Sequence, residues 1–225
     1  MFEAKPLRFS ALVAITAVMT FGAAPVLAQT MVTDSQPAST AGRAGPLNVV
    51  SSSVSRVLTM ARAQPSDAAE SGKRKAEIRQ AAEELFDFDE MSRLLLGQRW
   101  MDASAQQQHD FTVVLADLLQ SVYLKTLGNF TLAKITFQGE TITGSYAQVR
   151  SRMATGNGEI VAIEYRMLER DGQWAVYDVA VDGVSLVSNY RSQFNSILKR
   201  ITFAQLLEHL RNREAAAASR ADQGQ

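Results

Sequence analysis

The sequence predicts an α+β fold, one antiparallel sheet of about four strands covered by helices. Three observations predict it. Apolar residues recur at helical spacing from Leu47 to Tyr123, the period drops to two between Ile135 and Val181, and helical spacing returns from Tyr190. Helices, then a meander with one apolar face, then more helices is the order expected of a sheet that buries a side beneath helices. No internal repeat interrupts this order, and a single domain from about 46 to 212 accommodates it.

The chain opens with "MFEAKPLRFSALVAITAVMTFGAAPVLAQT", in which Lys5 and Arg8 precede an apolar run from Ala11 to about Ala23. Val26-Leu27-Ala28 fits the small-x-Ala rule, so residues 1–28 are expected to be a signal peptide cleaved after Ala28. The run is short and alanine-rich for a membrane span, which needs about 20 residues; an uncleaved anchor is the alternative. No cysteine follows it, which argues against a lipoprotein anchor. An exported, soluble protein is expected. Residues 29–45, small and polar without periodicity, read as a disordered lead-in.

The 225 residues include 23 basic and 23 acidic groups, two histidines and no cysteine. Loss of Glu3, Lys5 and Arg8 with the leader leaves 21 basic and 22 acidic residues, a net charge of −1. That balance gives no electrostatic footprint for nucleic acid. Without cysteine there is no disulfide framework, so stability rests on a packed core, which about 180 residues can supply.

Pro46 suits the first position of a helix, because its missing N–H would have had no partner there. Leu47, Val50, Val54, Val57, Leu58 and Ala61 form that helix's stripe. Pro65-Ser66-Asp67 breaks the chain, and Ser66 is expected to cap a charged helix through Ile78, Ala81, Ala82 and Leu85. In "FDFDEMSRLLLGQRW", Asp87 and Glu90 have capping-box spacing, with Leu94 to Leu96 as a buried turn before Gly97. Ser104 and Gln107 form a second box, opening a six-turn helix. Its stripe is Phe111, Val114, Leu115, Leu118, Leu119, Val122 and Tyr123, and Gly128-Asn129 ends it.

Ile135 and Phe137 share a face of the first strand, and Ala147, Val149, Ser151 and Met153 a face of the second, with Gln148, Arg150 and Arg152 opposite. "TGNG" at Thr155–Gly158 and "RDGQ" at Arg170–Gln173 signal hairpins around a third strand with Val161, Ile163, Tyr165 and Met167. In the fourth strand Val176, Asp178, Ala180 and Asp182 alternate with Tyr177, Val179 and Val181. After Gly183 the period changes, and Tyr190, Phe194, Ile197, Leu198 and Ile201 fall on one helical stripe. Thr202 and Gln205 cap the last helix, which carries Phe203, Leu206, Leu207 and Leu210; residues 213–225 read as a flexible tail.

Signatures of catalysis are weak. His109 and His209 have no partner histidine or cysteine at ligand spacing, whereas a zinc site needs three or four ligands. "GVSLV" around Ser185 has Val187 where a nucleophile elbow needs glycine. "TGNGE" lacks the lysine and the strand-to-helix context of a phosphate loop. "DFDE" is explained by helix capping, and Arg150 and Arg152 by a solvated sheet face, with an anionic headgroup as the alternative. No enzyme is indicated, and no cofactor or metal is implied. The aromatics and large aliphatics of the long helix, three strands and the Tyr190 helix converge by pattern on one side of the sheet. Periodicity alone does not separate a solid core from a pocket.

"FDFDEMSRLLLGQRW", "FTVVLADLLQSVYLKTLGNF" and "VYDVAVDGVSLVSNYRSQFNSIL" together resemble the MlaC family. These are periplasmic phospholipid-binding proteins, also called toluene-tolerance or auxiliary ABC-transport components; a branch associated with hopanoid biosynthesis shares the motif. The resemblance runs from about Val49 to Leu210, with "DGVSLVSNYRSQF" its most specific element. It implies an NTF2-like fold with a curved sheet and an apolar cavity that takes the acyl tails of a phospholipid. It further implies a monomeric carrier between an outer-membrane lipoprotein complex and an inner-membrane ABC transporter complex. On that basis the expected lining is Leu115, Leu118, Leu119 and Val122 of the long helix, with Val149, Val161, Ile163, Tyr165, Tyr177, Val179 and Val181 of the sheet. Tyr190 and Phe194 would close the cavity, and Asn189 and Arg191 would serve its polar mouth. A hopanoid or other apolar-lipid carrier of the same fold, or a non-carrier exported adaptor with a solid core, are the competing readings.

Overall fold

Seven helices and five strands follow one another in the computed structural model, which describes residues 44–63, 66–127, 134–156 and 158–222. The expected leader and most of the lead-in lie outside the described residues, as does the Gly128-Asn129 helix end. Everything described belongs to one compact unit that begins at Ala41.

Helix α1 (Pro46–Arg62) starts at its proline, as its sequence requires. Helix α2 (Ala68–Leu85) is capped by Asp67, not by Ser66: Asp67 Oδ1 accepts from the Glu70 N–H at 2.8 Å. Ser66 sits one residue earlier, and its N–H and hydroxyl both donate to Glu70 Oε2 at 2.7 Å. Asp wins the cap because its carboxylate meets the positive end of the helix with a full charge.

Helix α3 (Phe88–Leu96) takes Asp87 as cap, with Oδ1 accepting from the Glu90 N–H. Only half of the box forms. The Asp87 N–H donates instead to the Val176 carbonyl, where Phe86 makes a single parallel bridge to the sheet. That frees the Glu90 carboxylate for other partners. A short α4 (Gln98–Asp102) then leads to α5 (Ala105–Leu127), whose Ser104–Gln107 box is complete in both directions.

The sheet is an antiparallel meander in the order β1-β2-β3-β4-β5: β1 (Lys134–Thr143), β2 (Tyr146–Ala154), β3 (Ile160–Arg170), β4 (Gln173–Val181) and β5 (Val184–Ser185). The expected four strands become five because the chain folds back twice through two-residue turns of positive φ. Asp171 and Gly172 (φ 53° and 75°) join β3 to β4; Asp182 and Gly183 (φ 47° and 80°) fold the short β5 onto β4. Asp-Gly is the pair that accepts such a turn at least cost.

Helix α6 (Leu186–Ile197) follows at once, and Leu198 is its C-cap, so Leu198 and Ile201 leave the helical stripe while staying packed in the same core. A complete Thr202–Gln205 box opens α7 (Phe203–Asp222). That helix runs to Asp222, into the segment expected to be a flexible tail, because "EAAAASRA" is rich in the best helix former.

Candidate functional site

The apolar residues form two clusters rather than one. The first lies between the sheet and α1: Val50 and Leu85 pack with Ala147, Val149, Tyr165, Met167 and Val176, flanked by Phe137, Ile163, Trp174 and Val179. Four of the expected lining residues (Val149, Ile163, Tyr165 and Val179) are here. Val161 is also buried, opposite Met153, and Val181 is half-buried opposite Ile163. Burial pushes the Tyr165 phenol above its ordinary range, and the Ser151 hydroxyl beside it offsets part of that.

The second cluster is helical. Leu115, Leu118 and Leu119 of α5 pack with Met91, Leu95 and Leu96 of α3, Phe194 of α6 and Leu206, Leu207 and Leu210 of α7. Phe111 is its hub, edge-on to Phe194 at 5.7 Å and tilted against Phe203 at 6.0 Å. Tyr190 stacks on Phe194 at 6.0 Å. The side chain of Val122 lies outside the described residues.

Tyr177 is in this second cluster, not beside Val179 and Val181 as its alternation predicts. The pairing of β3 with β4 slips between Arg166 and Met167: Met167 faces Val176, Arg166 faces Asp178, and Tyr177 is the extra residue. A bulge of this kind reverses the parity of everything beyond it. Val176 therefore shares the α1 side with Val179, while Tyr177 points to the helices, edge-on to Tyr146 at 6.2 Å. Burial raises the Tyr177 phenol, with the nearby Arg166 guanidinium opposing.

Phe86, which the sequence pattern did not single out, packs on both clusters and stacks with Phe88 at 5.8 Å. Polar ties reinforce this junction. Arg170, beside the β3–β4 turn, donates to Asp87 Oδ2 and Glu90 Oε2, each at 2.8 Å. The Arg93 bond, then its charge and that of Arg170, hold the Glu90 carboxyl below its ordinary range against the opposing effect of burial. At the other end Asp178 accepts from the Val187 N–H at 3.0 Å, the Ser185 hydroxyl at 2.6 Å and Arg166 Nη1 at 3.0 Å.

Ser185 is thus the α6 cap, bonded to Asp178 and to the Ser188 N–H. Of the expected mouth residues, Asn189 is half-buried in the first turn of α6 and Arg191 is exposed. The Arg191 guanidinium lies over Gly97, its Nη2 only 3.0 Å from where a Cβ would stand. His109 and His209 are exposed, and His109 edges a crevice of about 260 Å³ with Asp110, Val113, Val114, Asp117 and Arg211. Among the described residues no group of three metal-ligating side chains occurs, and no helix is long and apolar enough to cross a membrane.

The family model described as MlaC protein matches residues 51–212. The chain belongs to the MlaC family. A curated relative, the intermembrane phospholipid transport system binding protein MlaC of Haemophilus influenzae, is 25% identical over 111 residues, 47% of this chain and 52% of that protein. The chain therefore matches about half the length of that relative. Among solved structures it is similar to the phospholipid-binding protein from Ralstonia solanacearum, solved in complex with a phospholipid. The TM-score is 0.67 and the identity 26%, covering 78% of this chain and 99% of that one. In this MlaC-family chain the motif "DGVSLVSNYRSQF" has a physical role: turn, short strand, helix cap and the first turns of α6, fastened to β4 through Asp178.

Proposed function

We propose that this protein is a periplasmic carrier that binds a phospholipid by its acyl chains and shuttles it between an outer-membrane lipoprotein complex and an inner-membrane ABC transporter complex. The likeness to a Ralstonia protein solved with a phospholipid, over 99% of that chain, carries the reading, and membership of the MlaC family supports it. Exposing two acyl tails to water costs about 0.8 kcal/mol per CH₂, or roughly 20 kcal/mol in all. A carrier must enclose both tails, and needs apolar walls but no covalent chemistry. No enzymatic step is therefore proposed.

The proposed lining is Leu115, Leu118, Leu119, Val122, Tyr190, Phe194 and Tyr177 from the helical side, with Val149, Val161, Ile163, Tyr165, Val179 and Val181 from the sheet. Asn189 and Arg191 are proposed for the mouth. Residues 1–28 would direct export and be removed after Ala28, 29–45 would form a lead-in, and 46–212 would be the lipid-binding domain of a monomer. Native mass spectrometry of the exported protein, purified without detergent, tests this. A stoichiometric adduct of phospholipid mass is expected. A hopanoid-like mass changes the guest, and protein that stays empty after incubation with liposomes overturns the carrier reading.

A further inference from the structure

Among the described residues, two buried side-chain nitrogen or oxygen atoms have no hydrogen-bond partner, Gln120 Nε2 and Ser151 Oγ. Gln120 is half engaged, because its Oε1 accepts from Arg79. The Ser151 hydroxyl makes no bond at all. It is 1% exposed and stands between Val149 and Met153 on the side of β2 that α1 covers. In register it faces Phe137 of β1 and Ile163 of β3, both apolar. The buried Ser92, by contrast, accepts from the Thr112 hydroxyl at 3.1 Å. Alanine would fill the place of Ser151 with no hydroxyl to desolvate, so a solid apolar layer does not account for serine here.

A second hydroxyl adjoins it. Tyr165 of β3, 7% exposed, faces Val149 and Val179 on the same side of the sheet, one step along the face from Ile163. Its phenol is near enough for the Ser151 hydroxyl to act on its ionisation, yet the two oxygens do not meet in hydrogen-bond geometry. Burial keeps the phenol protonated, so each of the two groups is a donor. Two adjoining donors that do not serve each other suit one acceptor with two lone pairs. The side chains they face, Phe137, Ile163, Val149 and Val179, carry no polar atom. A water held by this pair would rest on two bonds, where a buried water typically makes about three.

We infer that the Ser151 and Tyr165 hydroxyls together hold an ester carbonyl oxygen of the bound lipid. The inference rests on the carrier reading and deepens it. Val149, Ile163 and Val179, which surround the pair, belong to the proposed lining, and in a diacyl lipid the ester carbonyls are the acceptors nearest the tails. A carbonyl gripped at one place on the sheet sets how far the tails run beyond it. The pair is therefore a specificity device that favours ester-linked over ether-linked chains. The hydroxyls gain a partner from an ester and lose none to an ether, so the ether lipid meets no added penalty. The preference is that of one or two ordinary hydrogen bonds, about tenfold.

The exported protein is incubated with vesicles made of four lipids in equal parts, the dioleoyl (ester) and dioleyl (ether) forms of phosphatidylglycerol and of phosphatidylethanolamine. Native mass spectrometry separates the adducts by mass. Wild type is expected to carry ester over ether lipid by about tenfold within each headgroup. Ser151→Ala and Tyr165→Phe, each removing one oxygen, should each bring the ratio to about threefold, and the double change to about one. Ser92→Ala removes a buried hydroxyl that already has a partner and should leave the ratio at about ten. Because the ratio compares two lipids on the same protein, a change in total uptake does not disturb it. Should the double variant fail to melt cooperatively, the single changes decide. Equal uptake of ester and ether lipid by wild type overturns the inference while the carrier reading stands; uptake of neither overturns both. A preference that survives in both single variants also overturns it. So does clearly earlier melting of lipid-free Ser151→Ala, which would reveal a bond to the protein itself.

Discussion

Replacing Asp178 by alanine should cost about 3–5 kcal/mol of folding stability, while asparagine should cost only about 1–2. The carboxylate is 3% exposed and accepts three hydrogen bonds. Alanine leaves the Val187 N–H buried at the start of α6 without an acceptor, a loss of about 1–3 kcal/mol, and deletes charge-assisted bonds to Ser185 and Arg166 worth about 1.5 kcal/mol or more each. Arg166 is not orphaned, because Glu164 still accepts from it at 3.0 Å, so the total stays below the simple sum. Asparagine keeps Oδ1 for the Val187 N–H, but its amide nitrogen replaces the oxygen that accepted from Ser185 and Arg166. The Arg166 bond is therefore lost, and the Ser185 hydroxyl must turn to accept. Urea denaturation of both variants measures the difference, and a cycle with Ser185→Ala should return a coupling of about 1 kcal/mol, since the two side chains share one bond. An alanine variant within about 1 kcal/mol of wild type, or an asparagine variant as unstable as alanine, would refute the argument that this carboxylate fastens α6 to β4.

Three further outcomes follow from the same geometry. Gly97→Ala should lose about 1–3 kcal/mol and displace Arg191, because φ 55° with ψ −123° suits glycine alone and a Cβ would stand 3.0 Å from the guanidinium; thermal melts and the arginine side-chain NMR signal read both effects. Glu90→Gln should flatten the acid limb of stability. The folded pKa lies below the unfolded value of about 4.3, so the Glu90 contribution is full above that value and lost as pH falls through the folded pKa; an unchanged acid limb in urea titrations across pH 2–5 would contradict the assignment to Arg93 and Arg170. Leu118→Trp or Val179→Trp should lower lipid occupancy in native mass spectra, and unchanged occupancy in a folded variant would remove that position from the lining.

Local features were legible because their causes are local. Pro46, the Ser104–Gln107 and Thr202–Gln205 boxes and the Asp-Gly turn of β3–β4 each depend on a few neighbouring residues, and each stands where the sequence puts it. The α2 cap was missed by one residue because Ser66 and Asp67 are both good caps and only the Glu70 side chain shows how they divide the work. Partners distant in sequence had no local signal: Arg170 and Asp87 are 83 residues apart, and nothing in "FDFDE" foretells that the Asp87 N–H goes to β4. Glu90 is bound by arginines from two elements for that reason, and capping explains only part of the motif.

The largest departure is one of parity. "WAVYDVAV" alternates without a break, so Tyr177, Val179 and Val181 read as one face. A bulge adds a residue without changing composition, and alternation cannot report it, because each side of the bulge is still alternating. Its consequence is that Tyr177 joins the helical cluster. The rest of the expected lining divides because Leu115, Leu118, Leu119 and Phe194 pack among the helices while Val149, Ile163, Tyr165 and Val179 pack against α1, the two clusters sharing Phe86. Any guest that touches both Val179 and Tyr177 must reach around β4 or part the layers at Phe86. The Asp178 and Arg170 ties are what resist such parting. On the carrier reading Asp178→Ala should therefore alter lipid occupancy at denaturant concentrations where the fold is still intact, whereas Thr202→Ala, which weakens the α7 cap alone by about 1 kcal/mol, should not.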